Sequence, residues 1–429
     1  MGHENHVAGD GSQLAPWASI GYALSCLAAN RSPDCDLYVA EGIYFERITT
    51  LANVSIYGGF DALTWDRDIK NCATIVHGGG AGSTITAEGI CQIDGLVVTG
   101  GAGSYTHNTG YSENVFYKGG GIYANGIGNS PMITNCKVVD NTMRKDLPGH
   151  RFLGGGIYGG FASGISILNS EIRDNISSEG GGICLEHTFG IVTENTISRN
   201  EAVYPPSTGY GGGICSTRDY WHRGNEITGN IISNNRARLG GGFFAHWADE
   251  DVFRNNIVYA NTAHRGGGLC FGDGTTPGGG PDVLECIVAS NRAEDDGGGV
   301  YQVQGLDILG STIVGNSAAG KGGGIFRKYS APASPYIVNS TFIGNVAQTG
   351  AGMFSNGYGD GRLLNNMFAH NAAAMGGAIA AASSSLPDNG WQGCSIANNV
   401  LAYNAGGAFA ELEGILEQVA RFSERSLRI

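Results

Sequence analysis

Two short patterns of apolar and small residues alternate along most of this chain. The first consists of three small residues, mostly glycine, followed by an apolar residue, and it occurs eleven times between residues 119 and 410. The second is a nine-residue phrase with apolar residues at positions one and six and asparagine at position nine. The steps between glycine triplets vary from 25 to 35 residues, which predicts a solenoid with loop insertions.

The nine-residue phrase must bend, because two apolar residues five positions apart cannot lie on one face of a single strand. We therefore predict a strand, a short turn near position four and a second strand. The asparagine at position nine is expected to adopt the left-handed conformation of a tight turn and to stack on its equivalents as a hydrogen-bonded ladder. The ten copies are residues 133–141, 167–175, 192–200, 227–235, 253–261, 283–291, 308–316, 337–345, 363–371 and 396–404.

The apolar residue after each glycine triplet is expected to point inward, as at Ile122, Ile157 and Ile183. Three short strands per coil, stacked in parallel at ~4.8 Å, predict an all-β chain that forms a right-handed parallel β-helix of about 11 to 13 coils. Each coil of a solenoid contacts only its neighbours. We therefore expect a single rod-like domain over residues 36–410.

Both ends of such a stack need covers, since an end coil exposes a sheet edge. Residues 16–29 place Trp17, Ile20 and Leu24 on one helical face and predict a capping helix within an N-terminal cap of residues 1–35. Residues 410–424 have apolar side chains at helical spacing, including Leu412 and Val419. They predict an amphipathic capping helix within residues 411–429.

The residue that follows each inward one should face outward by strand alternation. These residues form a mostly apolar stripe, which is either covered or a binding face. As a binding face it would be the floor of a glycan groove between the loop walls or a seam for packing against another chain. The stripe contains Tyr123, Tyr158, Cys184, Cys215, Phe244, Cys270, Tyr301, Phe326 and Phe354.

Two segments carry a family resemblance. The opening DLYVAEGIY at residues 36–44, followed by VSIYGGF at 54–60, resembles the entry to bacterial right-handed β-helix proteins of the pectate-lyase-like superfamily. The refrain FIGN at 342–345 with GAGM at 350–353 is similar to repeats of chlamydial-type polymorphic outer-membrane proteins. The resemblance implies a secreted or cell-surface bacterial protein. It does not single out an activity, because the superfamily includes lyases, hydrolases, epimerases and adhesins.

Charge and cysteine content exclude several classes of function. A net charge of -13 argues against nucleic acid as a partner. Among the ten cysteines, Cys26 with Cys35 and Cys72 with Cys91 are candidates for pairing, and none has histidines at zinc-finger spacing. The chain contains no run of ~20 apolar residues that would predict a membrane span, and no secretory signal is visible.

The sequence repeat is interrupted by insertions at one corner of the coil. The segment 102–118 and the insertions after Asn141 and Asn200 are rich in aromatic residues, which are costly to expose without a partner. They predict a wall beside a binding surface, although drift in a surface corner would give the same lengths. The substrate-binding candidates in these insertions are His150, Arg151, Tyr204 and Tyr210.

A second interruption follows the glycine strand in four consecutive coils. His187, Arg218, Trp247 and Asp273 share one offset from the inward residue, so we expect them to stack as one surface cluster. Such a cluster suits β-elimination in a uronic-acid polysaccharide. Arginine would neutralise the sugar carboxylate, histidine would act as base, tyrosine as acid, and tryptophan would contact the ring. The candidates are Arg218 or Arg223, then His187, His222 or His246, then Tyr220, with Trp221 and Trp247 as substrate contacts.

Other functions remain open at this stage. A glycoside hydrolase would use a carboxylate pair drawn from Asp219, Asp249, Glu250, Asp251 and Asp273. Calcium, the one candidate cofactor, would bind Asp249, Glu250, Asp251 and Asp273. A non-catalytic adhesin or structural rod would use the same side chains for solubility. The sequence favours a polysaccharide lyase, with polysaccharide as partner.

Overall fold

The computed structural model describes residues 9–30, 34–107, 115–143, 150–161, 163–203, 209–217, 224–272, 280–303, 306–328, 336–356, 362–382, 395–406 and 409–412. The chain divides into two compact units. The first unit contains residues 1–209 and 213–230, and the second contains residues 210–212 and 231–429.

In the first unit each coil supplies one strand in turn to three parallel sheets, which we name the first, second and glycine sheets. The strands of the first sheet are Cys35–Ala40, Val54–Phe60, Gln92–Asp94, Met132–Thr134, Ser166–Leu168, Ile191–Thr193 and Glu226–Thr228. Those of the second sheet are Gly42–Tyr44, Thr74–His77, Leu96–Thr99, Lys137–Val139, Glu171–Arg173 and Thr196–Ser198. Those of the glycine sheet are Ile48–Thr49, Ile85–Ala87, Ile122–Asn125, Ile157–Gly160, Ile183–Glu186 and Ile214–Thr217.

The second unit repeats the arrangement. Its first-sheet strands are Val252–Arg254, Val283–Leu284, Ile308–Leu309, Tyr336–Val338, Arg362–Leu364 and Ser395–Ala397. Its second-sheet strands are Ile231–Ser233, Ile257–Tyr259, Ile287–Ala289, Thr312–Val314, Thr341–Ile343, Met367–Ala369 and Val400–Ala402. Its glycine-sheet strands are Phe243–His246, Leu269–Phe271, Val300–Gln302, Ile325–Lys328, Met353–Asn356, Ile379–Ala382 and Phe409–Leu412.

Two smaller sheets complete the fold. A fourth sheet lies between the asparagine and the glycine triplet of several coils, with strands Ile176–Ser177 and Glu201–Ala202 in the first unit and Arg236–Leu239, Thr262–Arg265, Arg292–Ala293 and Ser317–Ala318 in the second. The first unit also has a three-stranded wall sheet of Ser104–His107, Val115–Lys118 and His150–Leu153. The predicted all-β parallel solenoid is confirmed, and the described coils match the expected number.

Register is continuous because equivalent residues pair from coil to coil. Ile157 pairs with Ile183 and Ile183 with Ile214 in the first unit, and all three are fully buried. In the second unit the inward rings of Phe342 and Phe368 stack at 4.4 Å between centroids. The core is therefore a set of ladders of like residues, as the inward position after each glycine triplet predicts.

The predicted asparagine ladder is present at position nine. In the first unit the Asn141 amide donates to Asn175 Oδ1 at 2.9 Å, and Asn175 donates to Asn200 at 3.0 Å. In the second unit an equivalent chain of bonds of 2.9 to 3.0 Å links Asn235, Asn261, Asn291, Asn316, Asn345, Asn371 and Asn404. Each bond satisfies a buried amide through the same amide one coil away.

The position of the left-handed residue differs from the prediction. Positive φ falls on position eight, at residues such as Asp140 and Asp174, and on position three, at residues such as Asn135. The position-nine asparagine has no positive φ. Its amide must point into the coil to join the ladder, so the preceding residue makes the turn.

The glycine triplet is explained by close contact between coils. Gly240 has φ of +66°, and a Cβ on Gly241 would lie 2.4 Å from the carbonyl oxygen of Gly267. The first glycine thus supplies a left-handed turn. The second lies where the backbone of the next coil leaves no room for a side chain.

Of the alternatives for the outward stripe, the structure shows that the chain itself covers it, with only Tyr123 left half-buried. Tyr158, Cys215 and Phe354 are fully buried, although they do alternate with the inward residues. The segment between asparagine and glycine folds back over them: Tyr210 stacks on Phe244 at 4.7 Å, and the Lys321 ammonium lies 4.7 Å from the Phe354 ring centroid. The stripe is therefore neither an open groove floor nor an exposed seam.

The ends differ in part from the predictions. The N-terminal helix spans Ile20–Asn30, begins after Trp17, and buries Ile20, Ala23 and Leu24. The Glu46 carboxylate accepts the backbone N–H groups of Ile20 and Gly21 at 2.8 Å, capping the helix. At the other end Phe409–Leu412 is a strand paired with Ile379–Ala382. Any capping helix must start later, and residues 413–429 lie outside the described residues.

The nine cysteines within the described ranges are free thiols, including Cys26, Cys35, Cys72 and Cys91. The pairings considered from the sequence do not form. Cys184 and Cys215 stack as expected, being register partners in neighbouring glycine-sheet strands. The three domain boundaries remain predictions.

We predict that Asn291→Ala destabilises the protein by about 3 kcal/mol, since buried groups left without partners cost ~1–3 kcal/mol each. Asn291 accepts from Asn261 and donates to Asn316 and to the Val258 carbonyl. Denaturant unfolding measures the change. Thr312→Ala, at an outward position, is the control and should cost far less; equal losses would contradict a structural role for the ladder.

Candidate functional site

The wall sheet is built from the inserted segments of the first unit. Strand Val115–Lys118 pairs antiparallel with Ser104–His107 and parallel with His150–Leu153. Tyr117 stacks on Phe152 at 5.4 Å and meets Tyr105 edge-on at 5.7 Å. Two of the three aromatic insertions, the segment 102–118 and the one after Asn141, thus contribute strands to one sheet. In the insertion after Asn200, residues 204–208 lie outside the described residues.

A lysine, a tyrosine and a glutamate contact one another where the wall sheet lies against the glycine sheet. Lys118 Nζ donates to Tyr158 Oη at 2.7 Å and to Glu186 Oε2 at 2.8 Å, and Tyr158 Oη donates to the same carboxylate oxygen at 2.5 Å. The Tyr158 side chain is fully buried. Side-chain exposure is 8% for Lys118 and 14% for Glu186, so the charged pair touches solvent only at its edge.

Glycine makes this geometry accessible to Tyr158. Tyr158 and Gly160 point to the same side of their strand, and a Cβ on Gly160 would lie 2.2 Å from Tyr158 Oη. Gly160 pairs with Glu186 in the next coil. The ring can therefore lie along the strand over Gly160 and place its hydroxyl on Glu186.

A second cation lies beside this cluster. Arg151 makes a two-point contact with Glu179, at 2.7 Å through Nε and 2.5 Å through Nη2. Glu179 is buried, whereas 43% of the Arg151 side chain remains exposed. Lys118 and Arg151 both lie 5.4 Å from the centroid of the buried Phe116 ring. The ring thus lies beside two positive charges, one on a nearly enclosed side chain and one on a partly exposed side chain.

These contacts fix the charge state of the cluster. Burial alone would raise the pKa of Glu186, but the Lys118 charge and hydrogen bond, the Tyr158 hydroxyl and the Arg151 charge hold that pKa below its ordinary value. Burial and the Glu186 charge raise the pKa of Tyr158 well above its ordinary value. Burial would lower the pKa of Arg151, and the Glu179 carboxylate more than reverses that effect. At neutral pH the phenol is protonated and the carboxylate ionised.

The corner after the glycine strand presents large side chains from left-handed backbone. Phe161 has φ of 52° and is 41% exposed, and His187, one coil away, also has φ of 52°. Their rings lie 5.5 Å apart, and the Lys118 ammonium lies 4.6 Å from the Phe161 centroid. Left-handed backbone costs an aromatic residue ~1–2 kcal/mol. Gly126 and Trp247 also have positive φ at this corner, so the conformation belongs to the repeating turn.

The wall sheet and the adjoining corner together present four kinds of chemical group. They offer an exposed guanidinium, an ammonium with two of its three donors used by described residues, a half-buried imidazole and an exposed aromatic face. Such a set can bind an anion, hold a ring and move protons.

The repeats of this chain match a known family. Residues 67–258 and, in an overlapping match, 156–342 fit the family described as right handed beta helix region. Together the two matches cover well over half of the sequence. The chain belongs to this family.

Membership in the right-handed β-helix family establishes the fold and confirms the predicted handedness. The crystal structure of the Dettilon tailspike protein (gp208) is similar, with 16% identity and a TM-score of 0.43. The similarity covers 84% of this chain, and the chain spans 64% of the tailspike chain. No curated protein matches this sequence. Within the described residues, no helix is long and apolar enough to span a membrane.

The predicted site residues of this β-helix fall into three groups. In the first unit His150, Arg151 and His187 lie at the wall sheet and the corner described above. In the second unit His246 and Trp247 lie next to one another with rings 5.6 Å apart, and Trp247 has φ of 60°. Tyr210 belongs to that unit and stacks on Phe244. Arg218, Asp219, Tyr220, Trp221, His222, Arg223, Tyr204 and Asp273 lie outside the described residues.

The four-coil cluster and the calcium site therefore stay predictions. Asp249 and Glu250 are exposed, whereas Asp251 is buried. Elsewhere Glu41, Asp61 and Cys72 bring one ligand atom each within 4.8 Å of one another. The Asp61 carboxylate already accepts the backbone N–H groups of Leu63 and Thr64, so it closes a local turn.

Sequence analysis missed the centre of the first-unit site. Lys118 entered only as the end of an insertion and Tyr158 only as a member of the outward stripe, and Glu186 was not among the candidate site residues. A usable signal was the pair Gly159 and Gly160 after Tyr158, because no other glycine-sheet strand has two glycines at these positions. No pattern links Lys118 to Glu186, which are 68 residues apart.

We predict that Lys118→Met lowers the free energy of unfolding by about 3 kcal/mol, because removing one member of a buried ion pair strands the other charge. The double variant Lys118→Met with Glu186→Gln should recover part of that loss. Denaturant unfolding of the single and double variants gives the coupling free energy between Lys118 and Glu186. Additive losses would contradict the pairing.

The contribution of Glu186 should also depend on pH. Its pKa is depressed in the folded protein, so its stabilisation is present above the ordinary glutamate pKa of ~4.3 and is lost as pH falls through the lower folded value. We expect the stability gap between wild type and Glu186→Gln to shrink in acid. A gap that widens at low pH would contradict the assignment.

Proposed function

We propose that this right-handed β-helix protein binds a uronic-acid-containing polysaccharide along the first unit and cleaves it by β-elimination. The observation that carries the proposal is the Lys118, Tyr158 and Glu186 cluster beside the half-exposed Arg151. The resemblance to the pectate-lyase-like superfamily also supports it. Its substrate would lie outside the cell, consistent with a secreted or cell-surface protein.

Arg151 is the group proposed to bind the sugar carboxylate. Its pairing with Glu179 uses Nε and Nη2, which leaves the other edge of the guanidinium for a second carboxylate. Glu179 is buried and fixes the plane of that group. Neutralising the sugar carboxylate acidifies the proton on the adjacent ring carbon, which is the first requirement of β-elimination.

His187 is proposed as the base and Lys118 as the acid. The His187 imidazole takes the proton from the carbon that bears the carboxylate. The electron pair forms a C4–C5 double bond, and the C4–O bond breaks. The leaving oxygen takes a proton from the Lys118 ammonium, which Glu186 and Tyr158 position. The products are an unsaturated uronate and a new hydroxyl end, and no other reactant is needed.

Phe161 completes the proposed site as a contact for the sugar ring. It is 41% exposed and lies against both Lys118 and His187. Its left-handed backbone would favour glycine, which Gly126 supplies at the same corner one coil earlier. A ring retained at such a position suits binding.

The assay is release of unsaturated uronate, followed by ultraviolet absorbance, from a panel of uronic-acid polysaccharides with calcium and with chelator. We expect His187→Ala and Arg151→Gln each to lower the rate by about 100-fold or more, as expected when a general base or a charge contact is removed. His370→Ala and Arg199→Gln are matched controls at exposed positions, and they should keep full activity.

Other outcomes separate the alternatives. New reducing ends without absorbance would favour a hydrolase that uses carboxylates. Binding on affinity gels without cleavage would favour the adhesin hypothesis and contradict lyase activity. Loss of activity in His222→Ala or His246→Ala, with His187→Ala unaffected, would move the site to the residues predicted from the sequence cluster.

A further inference from the structure

Residues 61–73 form an insertion at one end of the first sheet, between its second strand and the second sheet. The backbone N–H of Asp68 donates to the Gly59 carbonyl at 2.7 Å, which fastens the insertion to the first-sheet strand. A Cβ on Gly95 would lie 2.5 Å from the Ile69 side chain, so glycine in the next coil makes room for the insertion. The insertion therefore has a fixed place beside the outward face of the sheet.

Four aromatic side chains lie in a continuous row where the insertion meets the sheet. Tyr38 and Tyr57 are register partners, with ring centroids 5.9 Å apart. The Phe60 ring lies 5.1 Å from Tyr38 and 6.2 Å from Trp65. Tyr38 is 52% exposed and the other three residues are half-buried. We name these four residues the aromatic row.

The backbone at Trp65 would favour glycine. The Trp65 N–H donates to the Asp61 carbonyl at 3.0 Å, which closes a turn of the kind that ends an α-helix, and its φ is 60°. Glycine is the usual residue at the left-handed position after such a turn. This turn lies in an insertion and not at a repeating corner of the coil. A tryptophan held there, with its side chain half-buried, indicates a use for the ring.

One guanidinium and one carboxylate hold the aromatic row against the sheet. The Arg67 guanidinium carbon lies 5.4 Å from the Tyr57 ring centroid and 5.7 Å from the Phe60 centroid. Arg67 also pairs with Asp94, whose side chain is only 6% exposed. The positive charge of Arg67 is therefore already balanced within the protein.

The hydroxyl ends of the two tyrosines lie beside further polar groups. The Tyr57 hydroxyl donates to Gln92 Oε1 at 3.2 Å, and the Tyr38 hydroxyl donates to Asp36 at 3.3 Å. A hydroxyl that donates one hydrogen bond keeps the capacity to accept others. The aromatic row thus combines apolar ring faces with hydrogen-bonding groups on the same surface.

This combination selects a sugar ring as ligand. A pyranose presents apolar C–H groups on its faces and hydroxyl groups around its rim, so aromatic faces flanked by polar groups complement both parts. A peptide would instead add a strand to a free sheet edge, whereas the aromatic row lies on a sheet face. A uronate would bring its charge towards the exposed Asp36 carboxylate, with Arg67 already paired. A neutral sugar avoids that repulsion.

We propose that the aromatic row binds a neutral polysaccharide through the faces of its sugar rings. Successive rings of the row are tilted by 32°, 62° and 44°, so a flat surface cannot contact all four faces. A single soluble chain that can bend therefore fits better than the flat face of a fibre. The site is separate from the Lys118, Tyr158 and Glu186 cluster and takes an uncharged ligand, so the inference goes beyond the proposed lyase activity and does not rest on it.

The test is isothermal titration calorimetry of the full chain with soluble neutral glucans, mannans and galactans. We expect saturable binding of at least one of them. Tyr38→Ala and Trp65→Gly should each weaken that binding by about 10-fold or more, the loss expected when an aromatic anchor is removed. Release of unsaturated uronate from acidic polysaccharides should be the same in both variants as in wild type.

Two controls separate binding from folding. Glycine suits the left-handed backbone at position 65, so Trp65→Gly should keep an unfolding midpoint close to that of wild type while it loses binding. Tyr336→Ala is the matched substitution, because Tyr336 also lies on the outward side of a first-sheet strand, with the Arg362 guanidinium 5.3 Å from its ring centroid. This variant should bind as wild type does.

Failure of every one of these neutral polysaccharides to bind would overturn the proposal. Binding that is unchanged in the double variant Tyr38→Ala with Trp65→Gly would also overturn it, as would equal weakening in Tyr336→Ala. Binding of a uronic-acid polymer alone, lost in the aromatic-row variants, would contradict the neutral ligand.

Discussion

Backbone hydrogen bonds between the parallel strands of successive coils set the strand spacing in each unit, and a ladder of buried amides is built on that spacing. Asn261 and Asn291 illustrate the constraint, since each accepts from one neighbour and donates to the other. The spacing of paired strands fixes the rise per coil, so both the ladder amides and the inward residues stack on their equivalents in the next coil. Glycine triplets follow from the same spacing, because at that rise the backbone of one coil occupies the place of a side chain in the next.

The covering of the outward stripe follows from this packing and explains where a site can form. In most coils a short fold-back segment lies over the stripe and leaves little room. In the first unit the inserted wall sheet replaces that simple cover, and it brings Lys118 and Arg151 over Tyr158 and Glu186. The polar cluster thus occupies a place that is apolar in other coils. Its charges are tolerated because each cation has a carboxylate partner.

The sequence predicted the elements that repeat and missed contacts that occur once. The ladder asparagines, the inward residues and the three-strand coil are visible because each recurs about ten times. The left-handed residue was placed one position too late. Asparagine is suited both to a left-handed turn and to a hydrogen-bonded ladder, but the asparagine at position nine forms the ladder and the residue before it makes the turn. Whether the outward stripe is covered or exposed was left open, since alternation gives the direction of a side chain but not what lies above it. Lys118 and Glu186 meet through an insertion whose path no periodicity encodes.

The central claim is that an acidic sugar binds where Arg151, Lys118 and Phe161 converge in the first unit. Its most direct test is a crystal structure of the His187→Ala variant with a uronic-acid oligosaccharide. The account predicts a sugar carboxylate at salt-bridge distance from Arg151, with the ring against Phe161 and the scissile oxygen near Lys118. An oligosaccharide bound elsewhere, with Arg151 still facing solvent, would contradict it.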